Sequence, residues 1–567
     1  MDQIKNLIGY IKSLAYNSLR CQNRYFMCFN DVLGVAICYL AIKEGEMSEK
    51  KFDAIVIGSG IGGMSSAASL AMCNYKVLVL EKNQFLGGSM GSYTDPETGN
   101  WKWSPGIQWV CDYSKSSVDY MLLKTITGGK ASFSPLDDEC QIKYFPDIDY
   151  QFAFVNDKGR LFEKLKFEFP EESQLIDLYF KYLLILEKKS GMFSLPKRFT
   201  PAIARIMFGF SKALKMLPHM DKSITEVVDN VLKIENEKLR AILLSFSHYF
   251  GIPLDEIPFP FYAYAQNMQF KGMFYPDGGG EALVDALVAT VTVKGGEART
   301  SSGVERIIFE NGIAIGVETV DGSTFFANKL ISSIGIKETL SGLVPEQERP
   351  ARLVKALEKH SSVPSFLELL VGFEGDISPF GIRRTAYKTI IGDPSAMLRN
   401  PTEDGWVCDD LTISFPSFLN IEHQNPGYQT AEMHHETRYE YFEKYEGKQD
   451  SEAYKKVTEK ITWNYLDRLE EKFPGLTKHV GYTKLITPLD VKNFTHHDQG
   501  SMFGLDIQKA FNPELSPRSG MKNLYFTGED IFAQGLTPLN GVITASVVTG
   551  KNLIQRFKKD YKANYSA

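Results

Sequence analysis

The chain has 567 residues, with a hydrophobic content of 43% and a charged content of 23%. This composition is typical of a folded protein and excludes both a disordered chain and a polytopic membrane protein. The formal net charge of −6 gives no electrostatic basis for a nucleic-acid partner. The length exceeds what one hydrophobic core serves, so we expect two or three closely joined domains.

Residues 1–50 form a separate N-terminal extension. Basic residues precede an apolar run from Phe26 to Ile42, and Asn30 and Asp31 interrupt that run. The clean apolar part is shorter than the about 20 residues that cross a bilayer. We expect a reversible membrane anchor on the cytosolic side. The alternative is a cytoplasmic protein whose true start is Met47.

Residues 52–81 have the strand, turn, helix and strand order of a dinucleotide-binding unit. An apolar strand buried on both faces is predicted at 52–57. A helix of small residues follows at 64–73, and a second apolar strand at 76–80.

Three glycines and one acid give this unit its chemistry. Gly58 permits the tight turn, Gly60 lets the backbone approach a pyrophosphate, and Gly63 lets the helix pack closely on the strand. Glu81, at the end of the second strand, is placed to accept hydrogen bonds from a ribose hydroxyl. The complete pattern predicts a bound adenine dinucleotide rather than a plain glycine-rich turn.

A second glycine pair, Gly87 and Gly88, follows soon after Glu81. An NAD enzyme usually continues from the acidic residue into ordinary helix. A second close backbone approach suits a long flavin cofactor that lies across the domain. We therefore predict FAD.

Residues 188–217 combine basic, aromatic and apolar side chains. The predicted helix at 201–217 carries Ile203, Ile206 and Met207 at helical spacing. Most such helices pack on a core. In an enzyme for oily substrates the same helix is a candidate for a membrane-facing portal.

The cofactor domain resumes near Pro276. Residues 281–288 predict an amphipathic helix. Further on, Asn311 and Gly312 predict the turn of a hairpin at 308–319.

Two other glycine runs, 278–280 and 295–296, lack the strand-helix context of the dinucleotide fingerprint. We therefore predict no second nucleotide site for NADPH. An enzyme of this kind that consumes electrons takes them from a separate donor.

Cysteine and histidine patterns do not predict a metal site. The seven cysteines show neither a C-x-x-C pair nor zinc spacing, which predicts reduced thiols. His496 and His497 are expected to point apart on a strand, and no third ligand is evident. His434 and His435 lie in a polar stretch that we interpret as a solvated helix face.

The C-terminal part repeats the kind of signal seen in the first unit. An apolar strand at 523–530 ends in glycine and acid, and a small-residue helix follows at 542–551. The strand end is suited to hold a ribityl chain, and the amides at the start of the helix are suited to a pyrimidine carbonyl or a phosphate. The alternative is an ordinary strand-turn-helix.

At this point the sequence resembles a known family. It is similar to the glutathione-reductase-like FAD proteins of the amine oxidase and phytoene desaturase group, and within that group to the retinol saturases and carotenoid isomerases. The residues that carry the resemblance are 58–63, 77–88, 271–280, 414–417 and 524–541. They indicate that the resemblance covers the chain from about residue 52 to residue 556.

The resemblance implies the fold class and its organisation. We expect an α/β fold with a discontinuous, Rossmann-like FAD-binding domain of the glutathione-reductase type and a mixed α+β substrate domain. The expected ranges are 51–135, 266–344 and 506–567 for the cofactor domain, and 136–265 and 345–505 for the substrate domain.

The resemblance also implies the chemistry. Retinol saturases use FAD to add two hydrogens across one double bond of a retinoid, which is the main expectation here for a polyene or isoprenoid substrate. A carotenoid cis-trans isomerase and a phytoene desaturase-like dehydrogenase are the alternatives. An amine oxidase and a non-catalytic, Rab-escort-like lipid-binding protein are more distant ones.

This chain departs from the family pattern beside the expected site. Retinol saturases show Gly-Ile-His-Tyr where this chain has Gly106, Ile107, Gln108 and Trp109. An amide in place of the imidazole cannot act as an acid near neutral pH. No catalytic acid is assigned from the sequence.

Val304 enters the expected site because the resemblance places it at the adenine. The complete set of predicted cofactor-binding residues is Gly58, Gly60, Ile61, Gly63, Glu81, Lys82, Gly87, Gly88, Ser89, Val304, Gly528, Glu529, Asp530, Leu539 and Asn540.

Overall fold

The structure is a computed structural model that describes residues 52–189, 195–213, 217–246, 252–392, 410–420, 427–506, 509, 512–532 and 538–566. The chain divides into Met1–Lys51 and Phe52–Ala567. The expected membrane anchor at 1–50 lies outside the described residues.

The strands run through all parts of the described chain. They are β1 (Ala54–Ile57), β2 (Val77–Leu80), β3 (Tyr93–Thr94), β4 (Lys102–Trp103), β5 (Val110–Cys111), β6 (Phe133–Pro135), β7 (Glu139–Phe145), β8 (Tyr150–Val155), β9 (Met273–Pro276), β10 (Glu297–Arg299), β11 (Val304–Glu310), β12 (Ile313–Thr319), β13 (Thr324–Phe326), β14 (Leu330–Ser332), β15 (Ser365–Glu374), β16 (Ala386–Ile390), β17 (Asp410–Ser414), β18 (Tyr428–Thr437), β19 (Val480–Ile486) and β20 (Leu524–Phe526).

The α-helices are distributed between the strands. They are α1 (Ile61–Ala71), α2 (Val118–Ile126), α3 (Lys158–Glu168), α4 (Ser173–Lys188), α5 (Pro201–Ala213), α6 (Ile224–Glu226), α7 (Glu237–Leu244), α8 (Phe259–Phe270), α9 (Gly279–Val293), α10 (Ile336–Glu338), α11 (Ala351–Leu357), α12 (Pro416–Leu419), α13 (Glu440–Glu443), α14 (Glu452–Lys472), α15 (Pro488–Thr495), α16 (Leu539–Thr549) and α17 (Leu553–Asn564).

A parallel sheet forms the centre of the cofactor side. Its strand order is β10-β2-β1-β14-β20, and all four pairings are parallel. All residues of β1 and β2 are buried, as expected for strands covered on both faces. The sheet takes strands from the beginning, the middle and the end of the chain. The glycine-bearing turns at the ends of β1 and β20 therefore come close together although they are far apart in sequence.

A seven-stranded mixed sheet forms the second layer, with the order β19-β15-β18-β17-β16-β7-β8. Its side chains separate into two faces because successive strand residues point in opposite directions. Leu369, Val371 and Met433 lie on one face, in an apolar core that also includes Ile461 and Tyr465 of α14. The opposite face of the same strands carries polar residues, and these residues are also buried.

A hairpin formed by β3 and β4 joins the two sheets. The Trp101 indole nitrogen donates to the Phe373 carbonyl at 3.0 Å, and the Trp103 indole nitrogen donates to the carbonyls of Val371 and Ala431. Both tryptophans are buried. The first cofactor segment is thus fastened to the polar face of the seven-stranded sheet by buried hydrogen bonds.

The predicted hairpin at 308–319 is confirmed. Strands β11 and β12 pair antiparallel around Asn311 and Gly312, whose φ angles are +50° and +73°. Two left-handed residues are what a tight two-residue hairpin turn requires.

Residues 136–265 contain strands as well as helices, because β7 and β8 lie there and pair within the seven-stranded sheet. One sequence expectation differs from the structure. Residues 278–280 do have a strand and a helix beside them, namely β9 and α9. Strand β9 pairs antiparallel with β5 and β6, so this glycine run stands outside the parallel sheet.

We expect Gly372→Ala to destabilise the junction between the hairpin and the sheet. A Cβ atom at Gly372 would lie 2.7 Å from the Trp101 ring, and such overpacking costs about 1–3 kcal/mol. The measurement is the free energy of unfolding in urea. Gly342→Ala is the control, because a Cβ atom there has no described neighbour within 4 Å. Equal stability of the two variants would contradict the expected role of Gly372.

Candidate functional site

The turn between β1 and α1 is built so that no side chain fits inside it. Gly58 has a φ angle of +88°, and a Cβ atom at Gly63 would collide with the Gly58 carbonyl oxygen. Gly60 is the N-cap of α1 and supplies no side-chain cap to the helix. The first turn of the helix, which begins at Ile61, contains no acidic residue. Its backbone amides and positive dipole end are therefore suited to an anion such as a pyrophosphate.

Glu81 closes this turn from the end of β2. One carboxylate oxygen accepts hydrogen bonds from the Ser59 amide at 3.0 Å and the Ser59 hydroxyl at 2.6 Å. The other oxygen accepts from the Asn83 amide at 2.8 Å. A carboxylate has about four lone-pair sites, so Glu81 keeps capacity to accept from a further hydroxyl.

The loop before β11 runs beside this acid. The Ser302 amide donates to the Glu81 carbonyl at 2.7 Å, and the Ser301 amide donates to the Asn83 carbonyl at 2.8 Å. A Cβ atom at Gly303 would lie 3.0 Å from the Lys82 side chain. The structure thereby brings Val304, the first residue of β11, next to Glu81 and Lys82.

The second glycine pair packs directly on the first turn. Gly87 and Gly88 have φ angles of +114° and +55°, and the Gly87 amide donates to the Ser59 hydroxyl at 2.9 Å. A Cβ atom at Gly88 would lie 3.1 Å from the Gly60 Cα. The next residue, Ser89, has a carbonyl oxygen with which a Cβ atom at Gly106 would collide. The contacts form a continuous path from the first turn to residues 104–108.

The C-terminal segment completes the site. A Cβ atom at Gly62 would lie 2.6 Å from the Gly528 Cα, and one at Gly541 would lie 2.6 Å from the Gly62 carbonyl oxygen. The Asn540 side chain donates to the Gly528 carbonyl at 3.0 Å. Helix α16, which begins at Leu539, therefore lies directly against the first turn of α1.

Asp530 is engaged in a way that the sequence did not indicate. Its buried carboxylate accepts hydrogen bonds from the Ile336 amide at 2.8 Å and the Leu505 amide at 3.0 Å. The buried ammonium group of Lys509 lies 4.0 Å away. In the structure Asp530 therefore ties two loops together beside Glu529. A ribityl contact by either acid stays a prediction.

The motif at 271–280 is anchored by charge. The Lys271 ammonium lies 3.0 Å from an Asp112 carboxylate oxygen and 2.9 Å from a Glu187 oxygen. Burial alone would raise the pKa of Glu187, but the ammonium groups of Lys271 and Lys158 outweigh that effect and lower it to about 2. This ionic cluster fixes the chain just after Gln108 and Trp109.

The secondary structure predicted for the two histidine pairs was wrong. His434 and His435 lie on strand β18 rather than on a helix, and His435 is buried. His496 is the C-cap of α15, with a left-handed backbone, and not part of a strand. No group of three or more metal-ligating side chains occurs in the described parts of the chain.

Sequence reasoning missed a pair of buried acids, Glu368 on β15 and Glu432 on β18. Neither side chain is exposed to solvent. Burial raises the pKa of Glu432 to about 8, and burial together with the charge of Glu432 raises the pKa of Glu368 well above its ordinary value. The available signal was a single glutamate inside the otherwise apolar strand of residues 365–373.

The comparisons with known proteins agree with this geometry. Residues 56–121 match the model of the NAD(P)-binding Rossmann-like domain. The chain is similar to an oxidoreductase of known structure from Methanosarcina mazei, with a TM-score of 0.56 and 17% identity. That similarity covers 88% of this chain and all of the other. The fold and the site define a protein with a Rossmann-like dinucleotide-binding domain, and the predicted fold class is confirmed.

Two relatives of known activity are similar to this chain over most of its length. The chain is 26% identical to the all-trans-retinol 13,14-reductase of Danio rerio, over 90% of this chain and 89% of that protein. It is 24% identical to the chloroplastic prolycopene isomerase of Daucus carota, over 80% of this chain and 72% of that protein. These relatives confirm the predicted resemblance to retinol saturases and carotenoid isomerases.

We expect Gly63→Ala to weaken binding of an adenine dinucleotide by at least about tenfold, because the added Cβ collides with the carbonyl of the turn that faces the phosphates. Titration of the purified protein with FAD, followed by flavin fluorescence, measures the change. Gly159→Ala in α3 is the control, since a Cβ atom there meets its neighbour at an ordinary 3.4 Å. Unchanged affinity in Gly63→Ala would exclude this turn as the binding site.

Proposed function

We propose that this protein is an FAD-dependent reductase that adds two hydrogens across one carbon–carbon double bond of a polyene of the retinoid type. The observation that carries the proposal is the length of the similarity to its relatives. The retinol reductase match covers 90% of this chain, so it includes both the cofactor segments and the seven-stranded sheet. A cofactor motif alone would match only the cofactor segments.

The described residues fit FAD. The uncapped first turn of α1 is suited to the pyrophosphate, and Glu81 keeps lone pairs for the adenosine ribose. Val304 is available to the adenine, and residues 528–530 with the start of α16 hold the flavin end. Among the described residues a Cβ atom at Gly60 would meet only the Ser333 hydroxyl oxygen, at 3.9 Å, so the backbone there is open to a ligand. A bound reduced FAD supplies a hydride, which carries both electrons of the reduction.

The chain itself positions the polyene and excludes water. The segment 104–108 touches the second glycine pair at one end and the polar face of the seven-stranded sheet at the other. Helix α8 adds buried aromatic side chains, including Phe259, Phe261 and Tyr262. A substrate held between these elements lies in a dry environment in which a proton donor has to come from the protein.

A carotenoid cis-trans isomerase is the second candidate. The observation that favours it is the similarity to the prolycopene isomerase of Daucus carota. The same cofactor site would serve both reactions, because isomerisation leaves the electron count of the substrate unchanged. The two candidates differ in whether hydrogen is added to the product.

A reductase needs a source of electrons. The sequence carries a single complete dinucleotide fingerprint, at 58–63. The other run preceded by a strand and followed by a helix, 278–280, stands beside an antiparallel strand. We propose that a separate electron donor reduces the bound FAD.

We also propose a peripheral membrane contact at α5 and the residue pair before it. Phe199, Ile203 and Ile206 are exposed, Ile206 to 71%, whereas Ala204 is buried. The apolar side chains predicted to form a packing stripe therefore include two that face outward. None of the described helices is long and apolar enough to cross a bilayer. An exposed apolar face on a short helix is suited to lie in a lipid interface.

The reduction is tested by incubating the photoreduced holoenzyme with all-trans-retinol and with a cis-carotenoid without oxygen. We expect a product of retinol that carries two additional hydrogens, measured by mass spectrometry. Unchanged mass with a shifted isomer would establish the isomerase instead. Peroxide released with amines would contradict both and indicate an amine oxidase.

We expect Ile206→Glu to lower binding to vesicles of neutral phospholipid by several-fold, because a charge replaces an exposed apolar side chain. Co-sedimentation of the full chain measures the binding. Lys166→Glu in α3 is the control, since it changes charge by more at a site away from the apolar face. Equal binding by wild type and Ile206→Glu would exclude α5 as the contact.

A further inference from the structure

The paired acids Glu368 and Glu432 lie on the same face of the seven-stranded sheet. Strand β15 pairs with β18 so that Glu368 faces His434 and Leu370 faces Glu432. The two glutamates are therefore diagonal neighbours, a relation in which side chains about 7–8 Å apart at their Cα atoms are in reach of each other. Both are fully buried.

Most of their oxygen atoms have no partner. Oε1 of Glu432 accepts a hydrogen bond from the Ser104 amide at 3.1 Å. Oε2 of Glu432 and both oxygens of Glu368 make none within the described part of the chain. A buried polar group without a partner costs free energy. We therefore expect these oxygen atoms either to be protonated or to form hydrogen bonds with a ligand.

A second polar group points to the same place. Ser414 of β17 lies directly opposite Glu432 and is fully buried. Its hydroxyl also has no hydrogen-bond partner among the described residues, and neither does the amide nitrogen of Gln108. The two carboxyl groups, the hydroxyl and the amide thus form a buried polar cluster. Their unpaired hydrogen-bonding atoms are available to a molecule that enters between them.

The charges around the pair favour the protonated acids. The groups that face the pair are His434 of β18, Tyr275 of β9, Ser104 directly after β4 and, further along the same face, Lys388 of β16. Burial dominates and raises the pKa of Glu432 to about 8. The Gln108 amide is close enough to lower the pKa of Glu368 without meeting hydrogen-bond geometry, but it does not offset burial and the charge of Glu432. Burial therefore favours the protonated form of both acids.

The pair is connected to the cofactor site by one short segment. Ser104 donates to Glu432, and Gly106, two residues later, is pressed against the Ser89 carbonyl. Ser89 follows Gly88, which packs on Gly60 in the first turn. The acids therefore lie across residues 104–108 from the loop that is expected to hold the flavin.

We propose that Glu432, supported by Glu368, is the acid that donates the second hydrogen of the reduction. The inference rests on the proposed function. A bound reduced flavin would supply the hydride for one C–H bond, and the π electron pair of the double bond would then be left on the other carbon. The O–H bond of Glu432 then breaks, its proton forms the second C–H bond, and its electrons stay on the carboxylate. Glu368 returns a proton to Glu432 and is reprotonated by water after product leaves.

The first test uses the holoenzyme without substrate. Infrared difference spectroscopy between pH 6 and pH 10 reports carboxyl groups that hold a proton. We expect a carbonyl band in wild type that disappears with a midpoint near pH 8 and is missing in Glu432→Gln. Glu374→Gln, at the exposed end of β15, is the matched control and should keep the band. Absence of a titrating band in wild type would overturn the proposal.

The second test is a single turnover without oxygen, with flavin reduced beforehand. We expect Glu432→Gln to reduce the polyene about 10²–10⁴-fold more slowly, to lose the decline in rate above pH 8, and to bind FAD as wild type does. Glu432→Asp should recover part of the rate. A wild-type rate in Glu432→Gln would overturn the donor role.

Failure of the proposed function gives a different result. If wild type itself reduces no polyene, the donor role falls with that function, whereas the infrared band still reports whether the acids are protonated. If Glu432→Gln does not fold, Glu368→Gln replaces it. That variant should keep the Glu432 band with its midpoint near pH 8 and lose the carboxyl signal that stays protonated to higher pH, because the charge of Glu432 raises the pKa of Glu368 further. Persistence of that second signal would overturn the pairing.

Discussion

The structure depends on close backbone contact at the first turn of α1. Three segments that are distant in sequence meet there, and each brings glycines: Gly60 with Gly62, Gly88, and Gly528 with Gly541. A Cβ atom at Gly62, Gly88 or Gly541 would lie only 2.6 to 3.1 Å from a backbone atom of another segment. Without side chains at these contacts, the backbone amides of the turn stay accessible to a phosphate. The parallel sheet supports this arrangement, because it aligns the ends of β1, β14 and β20 side by side.

The second layer, the seven-stranded sheet, differs from the parallel sheet in the polarity of its buried residues. A sheet buried on both faces is normally apolar on both, yet one face here carries buried glutamates and hydroxyls. Such a face costs free energy unless its groups are paired or neutral. The raised pKa values of Glu368 and Glu432 are the consequence, because a protonated carboxyl is cheaper to bury than a carboxylate.

These two layers explain how one scaffold relates to proteins with different reactions. The contacts at the cofactor turn do not depend on whether the substrate is reduced or isomerised. Reduction needs a proton in addition to the hydride, and the proposed donor role of Glu432 meets that need. The polar face of the seven-stranded sheet, rather than the glycine turn, is thus where reductase and isomerase are expected to differ.

The sequence by itself determined the cofactor turn, because its signals are local. The spacing of Gly58, Gly60 and Gly63 and the acid at the end of β2 follow from the geometry of one strand-helix-strand unit. The Asn311–Gly312 turn was predictable for the same reason. Only the tertiary structure decided the rest. His434 and His435 resembled a solvated helix because they lie in a polar stretch, but they are consecutive residues of a strand and lie on opposite faces of the sheet. Glu368 and Glu432 became a pair only through the register of β15 with β18, and no local pattern fixes a register between strands so far apart in sequence.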